Sequence, residues 1–332
     1  MRVLIVRITS MGDVVLTLPA VSDIVAKVPG IQIDWLVEKP FAAIPAMHPG
    51  VSRVISVQWR KWRKTLFRTD TMQALNQFRS ELREYEYDLI LDFQGQIAKS
   101  ILLGSMARGP LVGFGWSGLR EPLSSLFYRR RGAVSRSLHL VPRSRKLAAQ
   151  LIGYAEPSSP PDYGILAPAP TWQVPGMLAR ESRDGVHARS GYAVLIPNAS
   201  RPEKQWPQDR WIAVGAALAE RGLAIVVLWG NPAEQLLANE IAQAVGASVP
   251  PFLSVAQVAS LLAGAALVVG LDTGFTHLAV SLKRPTVGIY CDFDPALAGL
   301  VGSAYTDSLG GVGLIPPLRQ VLESISKALP HA

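Results

Sequence analysis

The sequence predicts an α/β protein made of two doubly wound, parallel-sheet domains facing a cleft. Three observations carry this. Short apolar runs recur in both halves, each followed by a polar loop and a helical pattern, as in parallel strands buried on both faces. Around residues 155–190 the alternation gives way to Pro, Ser and Gly, as in 156-EPSSPPDYG-164 and 167-APAP-170, a composition suited to an interdomain connection. The length, 332 residues, also exceeds what a single core usually organises. The expected organisation is one domain over 1–160, a linker over 161–190 and a second domain over 191–315. A last helix within 316–332 is expected to lean back on the first domain.

Composition narrows the class. A hydrophobic content of 49% against 17% charged residues fits packed α/β domains and excludes a largely disordered chain. The single cysteine, Cys291, rules out an internal disulfide and points to a reducing compartment. No apolar run reaches the ~18–20 residues that span a bilayer. Residues 3–6 are too short for a signal-peptide core, so a cytoplasmic location is expected. Five histidines and one cysteine without HxxxH or CxxC spacing argue against a transition-metal site. A formal charge of +8 calls for an anionic partner.

In chain order, residues 2–8 (RVLIVRI) read as a strand and about 14–28 as a helix, with Pro19 near its start. Between them lies TSMGD. It has one glycine where a dinucleotide loop needs three, and no GK[ST] follows. What it offers is Asp13 at a helix N-terminus, beyond the carboxyl end of a parallel strand, where open α/β sheets place ligands. Residues 31–37 and 51–57 read as strands. The run 59-WRKWRK-64 then interleaves tryptophan with Arg60, Arg63 and Lys64, a surface suited to anionic sugars, nucleic acid or membrane interfaces. A helix over 70–84 and a central strand over 87–93 follow, with Lys99 in the next helix. Residues 111–114 form a short strand, Arg120 sits in a glycine-containing loop, Arg129 to Arg131 cluster, and a helix over 139–152 carries Arg143 near its start.

The second half restarts with a strand over 192–197 and the polar loop 198-NASRPEKQW-206. Pro207 opens a helix that Gly222 stops. A strand over 223–228 leads to Glu234 in the first turn of a helix, and Ser254 caps another. Strands over 266–270 and 286–290 bracket 272-DTG-274 and a short helix carrying His277, and are expected to complete the sheet. A strand that delivers small polar residues to a helix start makes an anion site, because the first helical N–H groups have no internal partner.

Ser200, Lys204, Glu234, Asp272, Thr273, Gly274 and His277 thus fall in successive strand–helix loops. Lys204 supplies a point charge for phosphate, and Glu234 can accept from ribose hydroxyls or an adenine amine. Such a set suits a nucleoside diphosphate whose leaving-group charge needs stabilising. The first half adds one carboxylate, Asp13, and a basic surface. A base beside an acceptor hydroxyl and a cationic pocket for a leaving diphosphate are what sugar transfer requires. No second carboxylate pairs with Asp13 as a glycosidase would need.

These residues carry a family likeness. The stretch 1-MRVLIVRITSMGDVVLTLPAVSDI-24, the 203-EKQWP-207 turn and 271-LDTGFTHL-278 resemble the lipopolysaccharide heptosyltransferases, GT-B enzymes of glycosyltransferase family 9. The resemblance covers nearly the whole chain. It implies an inverting, metal-independent transfer without cofactor, from ADP-L-glycero-β-D-manno-heptose to the Kdo of Kdo–lipid A, during a peripheral visit to the inner face of the cytoplasmic membrane. By the same likeness Asp13 is the general base. Lys204 contacts donor phosphate, Glu234 the nucleoside, and Asp272, Thr273, Gly274 and His277 complete the donor site. Arg60, Arg63, Lys64, Arg120 and Arg143 engage the anionic acceptor. Two places depart from the pattern: Ala199 lacks a hydroxyl common before the lysine, and Cys291-Asp292 stands where a glycine is common.

Other readings remain open at this stage. A second-heptose or other core-sugar transferase would share the donor site and differ on the acceptor side. A sugar epimerase would want more carboxylates or histidines around the donor sugar. A nucleic-acid-binding protein would want a basic stripe across both domains, whereas the basic clusters concentrate in the first half.

Overall fold

The computed structural model describes residues 1–66, 68–175, 191–199 and 201–330. The chain divides into two compact units, Met1–Leu166 and Ala167–Ala332.

In the first unit, β1 (Arg2–Val6) leads to α1 (Met11–Lys27), β2 (Gln32–Glu38), α2 (Ala43–Ala46), β3 (Val51–Val57), α3 (Trp59–Trp62), α4 (Thr69–Leu82) and β4 (Leu89–Asp92). Then come α5 (Leu102–Gly104), β5 (Leu111–Phe114), β6 (Arg130–Gly132) and α6 (Leu140–Ile152). The six strands are parallel and ordered β3-β2-β1-β4-β5-β6. Val3 pairs with Ile33 on one side and Leu89 on the other. Chain order therefore reverses between β1 and β4, which opens a crevice beyond their carboxyl ends. Val3, Leu4, Ile5 and Val6 are fully buried, so strand β1 has no solvent face and its apolar run is continuous.

Helix α1 begins at Met11, earlier than the apolar pattern alone places it. Pro19 is consequently inside the helix and not near its start. The cause is Ser10 and Asp13. Ser10 is the N-cap, and Asp13 Oδ2 accepts from the Ser10 backbone N–H at 2.7 Å and hydroxyl at 3.1 Å. Arg145 of α6 grips Asp23 of α1 through two bonds, 2.6 and 3.0 Å, with both side chains about nine-tenths buried. This clamp fixes α1 against α6.

Lys99, expected in an ordinary helix, lies with Ser100 in a π-helical turn, Ile97–Ile101, a form that often marks functional positions. Strand β6 falls where the sequence shows only a cluster of arginines. It is three residues long at the sheet edge, with Arg130 and Arg131 exposed.

The second unit runs β7 (Gly191–Ile196), α7 (Gln208–Glu220), β8 (Leu223–Val227), α8 (Pro232–Val245), α9 (Val255–Ala263), β9 (Leu267–Leu271), α10 (Gly274–Ser281), β10 (Thr286–Tyr290), α11 (Pro295–Ala298), β11 (Thr306–Gly310) and α12 (Leu318–Ala328). Its sheet is parallel, ordered β11-β10-β9-β7-β8. The expected sheet stopped at β10; β11 extends it by one polar edge strand. Here the reversal lies between β7 and β9. Helix α12, expected to lean on the first domain, buries Val321, Ile325 and Ala328 in the core of the second unit with Trp211, Val287 and Ile289.

Candidate active site

The first unit gathers its chemistry beyond β1, β2 and β4. Asp13 presents Oδ1 to the Arg7 guanidinium at 3.2 Å while Oδ2 is held by Ser10. The Asp13 side chain is 36% exposed, so a ligand can reach it, whereas Arg7 is buried. Arg7 also donates to the Phe93 carbonyl, tying the end of β1 to the end of β4. Arg143, in the first turn of α6, lies 4.4 Å over the Phe114 ring and donates to the Gly118 carbonyl at 2.5 Å. Burial, with Arg7 and Arg136 close by, pulls its guanidinium down to about 10 against the attraction of Asp13. It remains a cation at neutral pH.

The β4 end is built around Asp92, which is fully buried. Oδ1 accepts from the Gln94 and Gly95 amides at 2.7 and 3.1 Å, and Oδ2 from the Ser100 and Tyr128 hydroxyls at 2.7 and 2.8 Å. Burial pushes its carboxyl up in spite of the four donors. Tyr128 reaches it by lying across β5, where a Cβ on Gly113 would come within 2.6 Å of the ring. Gln94, aimed by this turn, accepts from the Ile8 and Thr9 amides at 2.8 and 3.2 Å and donates to Thr9 Oγ1 at 3.1 Å. Asp92 is thus a fully bonded support for the loop beside Asp13.

A cavity of about 260 Å³ opens among Trp59, Arg60, Arg63, Gln96, Lys99 and Glu121. Lys99 donates to Thr9 Oγ1, so its ammonium links the cavity to the loop carrying Asp13. Burial, with Arg60 and Arg63 nearby, pulls that ammonium below its ordinary value against the attraction of Glu38. Three cations around one small hollow suit a carboxylate or phosphate. Trp62, buried against Phe78 at 5.5 Å, anchors α3 and so sets Arg60 and Arg63 at the rim.

In the second unit the loops after β7 and β9 meet where the sheet order reverses. Lys204 donates to Asp272 Oδ2, and His277 Nε2 stands 3.6 Å from Asp272 Oδ1. Burial pushes the Asp272 carboxyl up, but the His277 ring and the Lys204 ammonium push it down further, leaving it below the ordinary carboxylate value. Thr273 is the N-cap of α10 in extended conformation, and Gly274 is the first helical residue. The helix start therefore offers N–H groups beside the Lys204 charge. Glu234 accepts from Gly230 N at 2.8 Å, while Asn231 caps the same helix by accepting from Glu234 N at 3.1 Å. Trp229, held by its indole N–H to the Pro250 carbonyl, faces Phe252 at 5.7 Å beside this loop.

Residues 75–320 match glycosyltransferase family 9 (heptosyltransferase). The chain belongs to glycosyltransferase family 9. It is 38% identical over 304 residues to lipopolysaccharide heptosyltransferase 1 of Escherichia coli, with 91% of each chain covered. The structure of the E. coli heptosyltransferase WaaC with ADP superposes at a TM-score of 0.88 and 36% identity, over 99% of this chain and 100% of that one. The same enzyme with ADP-2-deoxy-2-fluoro heptose gives 0.81 and 35%, over 99% of each. The two doubly wound units are accordingly those of a GT-B glycosyltransferase.

For a family 9 enzyme the sequence-derived site is partly assembled. Lys204, Asp272, Thr273, Gly274 and His277 converge around one ion pair, with Glu234 at the start of α8 in the same unit. Ser200 lies outside the described residues. Arg60 and Arg63 share the cavity, Arg143 lies in electrostatic reach of Asp13, and Lys64 and Arg120 are exposed outside the cavity lining. Sequence reasoning missed Arg7, Lys99, Asp92 and Gln94. The loop after β10 stood out in the sequence, but its contacts did not: Asp292 pairs with Arg201 at 3.2 Å, and the Phe293 ring lies 5.3 Å from the Lys204 ammonium. That loop is where the sequence departs from the family at Cys291-Asp292. A signal existed for Arg7 and Asp92: each is a charge inside or ending an otherwise apolar strand. Among the described residues, no group of three His, Cys, Asp or Glu is placed to hold a metal ion.

Proposed function

We propose that this enzyme transfers L-glycero-D-manno-heptose from ADP-heptose to a Kdo hydroxyl of Kdo–lipid A, with inversion and without a metal ion. The observation that carries the reading is Asp13, an accessible carboxylate aimed by Ser10 and Arg7 beside a three-cation cavity. Likeness to a lipopolysaccharide heptosyltransferase 1 and to structures holding ADP and an ADP-heptose analogue supports the donor and the acceptor class.

In this reading the donor diphosphate binds Lys204 and the N–H groups at the start of α10, with Glu234 against the ribose. Asp272 holds Lys204 until phosphate arrives and fixes the His277 ring. Asp13 accepts the proton of the acceptor hydroxyl, whose oxygen forms a bond to the anomeric carbon while the bond to the diphosphate oxygen breaks. One displacement from the opposite face inverts the centre. The charge that develops on ADP falls on Lys204 and the helix start, so the protein itself supplies the electrophilic assistance. The Arg60, Arg63 and Lys99 cavity takes the Kdo carboxylate, and Lys64, Arg120 and Arg143 contribute to the anionic acceptor field. The enzyme works peripherally at the inner face of the cytoplasmic membrane. No described helix is long and apolar enough to cross a membrane.

The test is ADP release from ADP-heptose with different acceptors. Release that requires a Kdo-bearing, heptose-free lipid A supports the proposal. Release only with an acceptor already carrying heptose assigns the second-heptose reaction, and release with neither removes the proposed substrates.

A further inference from the structure

Residues 116–138 stand out on the surface of the first unit. Trp116, Leu123, Leu126 and Phe127 are each 55–64% exposed, a concentration of large apolar side chains that a soluble surface usually avoids. They sit on two short 3-10 turns, Trp116–Gly118 and Pro122–Phe127, which pack against each other. The inward side of the same segment is firmly tied. Leu119 is buried over Gly95, Ser124 Oγ donates to the Gly95 carbonyl at 2.9 Å, and Tyr128 donates to Asp92. The outward apolar side is therefore held out by a rigid base and does not fold inward.

The surroundings are cationic. Between positions 116 and 138 the sequence has five arginines, Arg120, Arg129, Arg130, Arg131 and Arg136, all exposed, against one acid, Glu121. Glu121 also lines the Arg60–Lys99 cavity, and it accepts from Ile97 N at 3.0 Å, so the segment forms one wall of that cavity. An apolar tip ringed by arginine matches the boundary of an anionic bilayer, where rings and aliphatic chains enter the acyl edge and guanidinium groups meet phosphates.

We infer that residues 116–131 are a membrane-docking wedge for anionic phospholipid, setting the adjoining cavity at headgroup height. The inference rests on the proposed lipid-borne acceptor and adds the element that meets the lipid. A second exposed apolar loop, Val312, Leu314 and Ile315, has no basic residue between positions 306 and 316 and is excluded from the wedge.

The test is flotation of the full chain with phosphatidylethanolamine–phosphatidylglycerol vesicles and with phosphatidylcholine vesicles. Wild type is expected to float with the anionic vesicles only. The variant Trp116→Ser/Leu123→Ser/Leu126→Ser/Phe127→Ser is expected to lose at least about tenfold in partition. Val312→Ser/Leu314→Ser/Ile315→Ser is expected to float as wild type does. ADP release with a water-soluble, acyl-free Kdo acceptor should stay within about twofold in both, which separates failure of the wedge from failure of the proposed reaction. Unchanged flotation of the first variant, or no flotation of wild type, overturns the inference. So does lipid-free self-association that this variant abolishes, which would make the patch a contact between copies. Should the fourfold variant not fold, Leu126→Cys serves, since the only native thiol, Cys291, is buried. An environment-sensitive label at position 126 is expected to shift to the blue on anionic vesicles, and no shift overturns the inference.

Discussion

Arg7 Nη2 lies 3.2 Å from Asp13 Oδ1, and the same guanidinium donates to the Phe93 carbonyl at the end of the neighbouring strand. Arg7 thus aims Asp13 from the crevice where the sheet order reverses. Arg7→Lys keeps the charge but cannot make both contacts from a planar fork. The expected outcome is a fall in kcat of about tenfold, with ADP affinity unchanged; Arg7→Met is expected to cost about a hundredfold. Steady-state kinetics paired with calorimetric ADP titration checks this, and equal losses in kcat and ADP affinity would count against a positioning role.

In the proposed reaction Lys204 bears on the donor alone. Lys204→Ala removes a charge-assisted contact of about 1.5–3 kcal/mol, so the KM for ADP-heptose is expected to rise about 10- to 100-fold. The KM for acceptor should move by less than about threefold. Varying each substrate in turn measures both.

Asp272 links the proposed donor site to acid stability. Its folded-state pKa lies below the ordinary value near 3.9, so the ionised form is favoured by folding. That contribution is fully present above about pH 4–5 and is lost as pH falls through the lower folded value. Asp272→Asn is expected to lower stability by about 1–3 kcal/mol at pH 7, with the gap to wild type closing below about pH 4. Denaturant unfolding across that range reads the difference.

Asp92 gives a purely structural prediction. Asp92→Ala strands four donors, three of them on buried residues, and is expected to cost about 3 kcal/mol or more. Asp92→Asn should cost much less. Its carbonyl can still accept from Gln94 and Gly95, and its NH₂ can donate to Ser100 and Tyr128, whose hydroxyls can turn to accept. Tyr128→Phe removes one donor and is expected to cost about 1 kcal/mol. Urea midpoints for the three variants give the ranking.

How much of this was legible in the sequence follows from burial. Strands β1, β4, β7, β8, β9 and β10 are apolar because both sheet faces are covered, so their runs stand out. Strands β6 and β11 are sheet edges with arginine or polar residues and leave no run to see. Asp13, Lys204, Asp272 and His277 were legible because each follows a strand within a few residues, where parallel sheets put polar loops. The Arg201–Asp292 pair joins positions far apart in the chain, and spacing cannot reveal it. Asp92 was hidden because its four donors come from three separate segments. The start of α1 moved to Met11 because the Ser10–Asp13 cap, not the apolar pattern, decides where the helix begins.

The central claim, Asp13 as the base in transfer to a Kdo hydroxyl, is tested most directly by Asp13→Ala in acceptor-dependent ADP release, alongside ADP titration. The account predicts a fall in turnover of about 10²–10⁴ with ADP affinity within about twofold of wild type. Turnover within about tenfold of wild type would contradict it.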